Sequence, residues 1–222
     1  MSLDFSFLSE YGNYFIEGTL NTLIIAAIGV LVGTIIGIIL ALLKLSKIKI
    51  FKIIASIYIE LFRGTPILVQ LYIIYFAIPY AFQFKLAPLT AGIITLSLNS
   101  GAYVAELIRA GINSIDKGQM EAARSLGMSH WMAMRLIIMP QAVKNILPAL
   151  GNEFIAIIKE SSIASIIGVN EIMYKADTIR GNLYIVFEPL LIAAAIYFTL
   201  TFTLSKVVSY FERRMGASDT SN

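Results

Sequence analysis

The chain has no cysteine, a single histidine (His130), a single tryptophan (Trp131) and only 14% charged side chains among its 222 residues. Without cysteine there is neither a disulfide nor thiolate chemistry, and one histidine cannot build a histidine-rich metal site. Missing too are a glycine-rich phosphate loop and any nucleophile–base spacing suited to an active site. The chain is therefore not expected to be an enzyme or to hold a cofactor or metal, and no nucleic-acid partner is expected. The shortage of charge runs against about 25% in ordinary soluble domains. What is present is apolar: 58% hydrophobic residues and a mean hydropathy of +0.79, gathered in blocks as in a membrane protein. Asp4, Glu10 and Glu17 precede the first block, where a signal peptide would carry Lys or Arg, so that block is expected to stay in the membrane.

A helix needs about 20 apolar residues to cross the hydrocarbon core. On that ruler the chain reads as an all-α integral membrane protein, one domain over 1–222, with five transmembrane helices. The spans expected are 19–43, 66–78 (preceded by a short helix, 53–62), 88–110, 145–167 and 186–208. Gly29, Gly33 and Gly37 fall on one face of the first span, either for close helix approach or as tolerated glycines. Arg63-Gly64-Thr65-Pro66 interrupts the second region, because proline removes a donor and clashes with the preceding turn. The tail from Gly216 to Asn222 reads as disordered.

Charge sets the expected orientation. One side collects Lys44, Lys47, Lys49, Lys52, Arg109, Lys117, Arg124, Arg135, Lys144, Lys206, Arg213 and Arg214; the other has Lys85, Lys175 and Arg180. Five spans then put the N-terminus out and the C-terminus in, with 111–144 as a cytoplasmic coupling loop. Within it, Gln119 to Leu126 reads as a helix with an apolar set at Met120, Ala123 and Leu126, ended by Gly127. Ser129 is placed to cap a second helix from His130 to about Ile138, which Pro140 should break.

Glu121-Ala122-Ala123, Gly127 and Ile137-Ile138-Met139-Pro140 resemble the EAA loop of the membrane subunits of ABC importers, with Met139 where Leu is usual. Three further stretches are similar to the subfamily importing polar amino acids of the histidine, arginine and glutamine type. They are 60–70, 98–106, and 148–154 with 159–162. The resemblance implies that Gln119, Glu121, Ala122, Ala123, Ser125, Leu126 and Gly127 dock on a separate ATP-binding cassette subunit, which holds ATP and magnesium. It also implies a second permease subunit, an external solute-binding protein and a place in the bacterial inner membrane. One chain with a full set of polar residues favours an identical second copy.

Ionisable groups at membrane depth cost about 2.5–3.5 kcal/mol each, so they face a cavity or a partner. Asn152, Glu153, Lys159 and Glu160 lie on the fourth span, and Asn99 and Ser100 on the third. Together they are the candidate amino-acid-binding residues, supplying an acceptor for an ammonium and donors for a carboxylate. The alternative for Lys159 and Glu160 is a closed polar network, and for Asn99 and Ser100, helix packing. Arg63 is expected to free or satisfy backbone at the kink. Two acids against one base point to a cationic cargo such as arginine, lysine or histidine. Glutamine by the same machinery is the alternative, and an ion-coupled carrier a more distant one.

Overall fold

A computed structural model describes residues 3–216, all of whose regular elements are helical. The longest, α1 (Leu8–Leu45), starts eleven residues before the expected span and turns its small residues inward. A Cβ built on Gly33 would lie 2.8 Å from Ser100, and one on Gly37 2.5 Å from Val104 Cγ1. The glycine face thus lets α1 pack backbone-close on α5 (Pro88–Asn113), which answers Gly101 against Ile36 in return.

The second hydrophobic region is broken as its sequence dictates. α2 (Lys49–Gly64) and the rod Ile67–Phe82 meet at 106°. That rod consists of α3 (Ile67–Tyr72), a π turn (Ile73–Ala77) and α4 (Ile78–Phe82). The rod runs on through Pro79, past the expected span end at 78. The π turn pairs Ile78 N–H with the Ile73 carbonyl, shifting the ladder by one residue just ahead of the proline, so the helix absorbs the missing donor. The stop comes at Gln83, which is left-handed at φ 54°.

Pro140 behaves the same way. The second loop helix was expected to break there. Instead α7 (His130–Ala133), a π turn (Met134–Ile138) and α8 (Met139–Glu160) form one unbroken helical backbone. Met139 N–H reaches the Met134 carbonyl, and the Gln141 side chain donates to the Ile137 carbonyl at 2.8 Å. The fourth apolar stretch therefore begins earlier than 145, and its α-helix ends at Glu160. Residues Ser161–Ile167 tighten into a 3-10 turn that closes on left-handed Gly168.

The sequence reading did not anticipate α9 (Ile172–Leu183). Glu171 caps it, accepting from Tyr174 N–H at 2.7 Å, and the buried carboxylate also takes the Tyr197 hydroxyl. Thr22 receives Ile172 N–H, and Lys175 pairs with Glu17 at 2.8 Å, so α9 is lashed to α1 and α10 (Phe187–Gly216). The tail reading lies outside the described residues apart from Gly216. The core gathers Ile25 and Ala26 of α1, Leu71 of α3, Leu96 of α5, and Ile157 and Ile158 of α8.

Among the described residues, α1, α5 and α10 are long and apolar enough to cross a membrane, and the bent pair from Lys49 to Phe82 passes as a fourth span. α8 does not meet that measure, since Lys144, Glu153, Lys159 and Glu160 interrupt its apolar surface.

Candidate functional site

The segment resembling a docking loop folds into α6 (Lys117–Ser125), capped by Asp116, whose side chain accepts Gly118 N–H at 2.6 Å. Its end is a left-handed glycine closure: Gly127 has φ +84°, its N–H bonds the Arg124 carbonyl, and Met128 N–H bonds the Ala123 carbonyl. Ala123 is buried and Met120 half-buried against Met134 and Ile138. Leu126 departs from the expected apolar set. It sits past the last helical turn and is 84% exposed, because periodicity no longer governs a residue at the cap. Gln119, Glu121, Ala122 and Ser125 are exposed as well. Ser129 caps α7 through Met132 N–H, and beside it Trp131 stands 71% exposed. The result is a projecting surface of acid, small residues and large apolar side chains, carried on the tip of the rod that becomes α8.

At the α2–α3 break, Pro66 has no N–H for the Phe62 carbonyl four residues earlier. Gln70 supplies it. Its side-chain amide donates to the carbonyls of Phe62 (2.8 Å) and Thr65 (3.1 Å), and its oxygen accepts from Asn99 at 3.0 Å. Asn99 thus turns its amide to the brace, with a longer bond to Phe62 at 3.4 Å. Sequence reasoning overlooked Gln70; its place four residues after a helix-breaking proline was the available signal.

Arg63 does not satisfy the kink as expected. It reaches Glu106 of α5 at 3.6 Å and lies over the Tyr103 ring, 5.4 Å from its centre. Lys44 and Arg109 bind the same carboxylate at 2.7 and 2.6 Å. Glu106 was quoted in a motif without a role, although an acid within an apolar span marks a partner.

Of the remaining candidates, Glu153 is half-buried on α8 and faces the buried Ser100 hydroxyl of α5, near it without closing a hydrogen bond. Glu160 follows seven residues on, about 10 Å along the axis on the same stripe. Lys159 and Glu160 are exposed and form no ion pair with each other among the described residues, although their charges attract. Asn152 turns another way, lining a cleft between α8 and α10 with Asn145 and Glu212. The structure therefore brings Ser100, Glu153 and Glu160 to one side of α8 and sets Asn99 and Asn152 apart.

Comparisons with known proteins agree with this architecture. Residues 33–217 match the family described as binding-protein-dependent transport system inner membrane component. The chain is 47% identical over 202 residues to a protein of Rickettsia typhi named as a glutamine transport system permease, covering 91% of this chain and 93% of that one. It is 42% identical to an arginine transport system permease of Bacillus subtilis, covering 99% and 100%. A crystal structure of an amino acid ABC transporter with histidines superposes at a TM-score of 0.93, with 52% identity over 96% of this chain and 100% of that one. A methionine ABC transporter in inward-facing form shares the fold alone, at a TM-score of 0.76 and 16% identity. On its sequence, its helices and its projecting loop, the chain belongs to the family of inner membrane components of binding-protein-dependent transport systems.

Proposed function

We propose that this chain is the permease subunit of an ATP-driven amino acid importer and lines the pathway of a polar, cationic amino acid such as arginine, lysine or histidine. The observation that carries the charge preference is Glu153. It is a half-buried carboxylate on the stripe of α8 that also holds Glu160, and no cation is in ion-pair contact with it among the described residues. A guanidinium, imidazolium or ammonium side chain would supply the missing partner. The similarity to an arginine permease and to an amino acid transporter with histidines supports this reading. The similarity to a glutamine permease supports the alternative, in which Glu153 meets only the α-ammonium.

Energy enters from a separate ATPase subunit, which holds ATP and magnesium and grips the surface formed by Gln119, Glu121, Ala122, Ser125, Leu126 and Gly127. The exposure of Leu126 and Trp131 supports docking there, since large apolar side chains in water favour a partner. A second copy of the chain completes the pathway, and an external binding protein delivers the cargo. The exposed Lys159 and Glu160 are placed to meet the second copy or the cargo.

The test is uptake in vesicles holding the complete transporter. Glu153→Gln is expected to lower arginine uptake tenfold or more, roughly the loss of a hydrogen bond to a charged group, while assembly and basal ATP hydrolysis persist. Equal loss of arginine and glutamine uptake would favour the α-ammonium alternative. Undiminished transport by the variant would end the assignment of Glu153.

A further inference from the structure

Asn152 stands apart from the pathway residues, and the cleft it lines has a chemistry of its own. α8 and α10 touch where Gly151 meets Val208, so closely that a Cβ on the glycine would come within 2.6 Å of the valine Cγ2. Glu212 and Met215 lie four and seven residues beyond Val208, on the same face of α10. Beyond that contact a cleft of about 480 Å³ opens between the two helices, with Asn145 and Asn152 on the α8 wall and Glu212 on the other. Sites for small molecules have about this size and sit between helices of bundles. Asn145 donates to Ser114, the residue that leads from α5 into the projecting loop, at 2.8 Å, which sets the cleft on the loop's side.

At 100° per residue, Asn145 and Asn152 lie about 20° apart on α8, whereas Glu153 points about 100° away from Asn152. The cleft and the pathway stripe are therefore separate faces of one helix. Grooves elsewhere on α10 and on the rod Ile67–Phe82 are walled almost wholly by apolar side chains, while this one brings an acid and two amides together. Among the described residues Glu212 has no cation in ion-pair contact, and the Asn152 side chain makes no hydrogen bond. An α-amino acid carries both complements: an ammonium for the carboxylate, and a carboxylate that accepts from the amides. We infer that the α8–α10 cleft is a second amino-acid site, open on the side of the projecting loop, in which Glu212 takes the α-ammonium and Asn145 and Asn152 take the α-carboxylate. That the ligand is an amino acid rests on the importer reading; that the site is a second one rests on the separate faces of Asn152 and Glu153. Cargo meets this cleft after passing Glu153, so the site samples what has been delivered.

Labelled L-arginine is equilibrated with the complete transporter in phosphatidylglycerol nanodiscs. The wild type should hold two arginines per chain, and Glu153→Gln one. Adding Glu212→Gln to the Glu153→Gln chain should weaken the remaining site tenfold or more, roughly the loss of a hydrogen bond to a charged group. Agmatine, which keeps the amine and guanidinium groups but has no carboxylate, should bind that site severalfold more weakly than arginine. The melting temperature should hold, because Glu212 is exposed. A Glu153→Gln transporter without saturable arginine binding, a remaining site indifferent to Glu212→Gln, or displacement of its arginine by phosphatidylethanolamine in the nanodiscs would overturn the second site and leave the pathway reading intact. A single site that survives Glu153→Gln and is lost with Glu212→Gln would instead uphold the cleft and sink the pathway role of Glu153.

Discussion

Single side chains decide whether the broken helix is tolerable. The Phe62 and Thr65 carbonyls sit at the bend on half-buried residues, and the buried Gln70 answers both. Gln70→Ala is expected to destabilise the fold by about 1–3 kcal/mol, the range for stranding buried polar groups. Asn99→Ala, which removes one good bond and one long one, should have the smaller effect. Thermal unfolding in detergent ranks the two; a Gln70→Ala chain melting with the wild type would show that water fills the gap. Glycines offer a second contrast. A methyl on Gly37 would press on the β-branched Val104 at 2.5 Å, whereas one on Gly29 would meet Leu96 at 3.5 Å in ordinary contact. Gly37→Ala should therefore cost about 1–3 kcal/mol by overpacking. Gly29→Ala should be neutral or stabilising by roughly 0.5–1 kcal/mol through helix propensity. Opposite signs in the same melting assay are the outcome to look for.

At the scale of elements, much was legible from residue type alone. Apolar blocks located α1, α5 and α10, proline near glycine located the α2–α3 break, and Gly127 and Ser129 punctuated the projecting loop where their chemistry predicts, whereas the Asp116 cap, which starts α6 at Lys117 ahead of the expected Gln119, went unread. What escaped had physical reasons. Prolines 79 and 140 read as stops because a π turn, invisible to hydropathy, can re-register the ladder ahead of them. α9 escaped because its helix is short and mixed in polarity, and its stability comes from tertiary ties to α1 and α10. The candidate site was legible as a set of polar residues on apolar helices. Its division was not, since whether Asn99 faces a cargo or a brace depends on where Gln70 arrives from another element.

For the molecule as a whole, α9 is the strap across one end, and Glu171 is its buried knot. Burial pushes the Glu171 carboxyl above the ordinary carboxylate range, opposed by the Tyr197 hydroxyl and the Met173 and Tyr174 amides. The folded state therefore binds this proton more tightly than the unfolded chain, whose glutamate titrates near about 4.3. Stability from this group is fully present below that value and is lost as pH rises through the raised folded value. Comparing wild type with Glu171→Gln from pH 4 to 8 should show the wild type losing ground as pH increases, with a flatter profile for the variant, whose amide oxygen can still accept Tyr174 N–H. Parallel profiles would place the proton elsewhere. At the other end, the rod that carries Trp131 at its tip reaches Glu153 without a joint, about 33 Å at 1.5 Å per residue. Besides Pro148 inside α8, its irregularity is the turn at Met134–Ile138, which winds an additional residue into the same length. Losing a single residue there would straighten the ladder and leave the head nearly where it points, whereas losing one from the regular helix beyond would swing it by about 100°, so the turn is where the shaft tolerates a change in its count of residues.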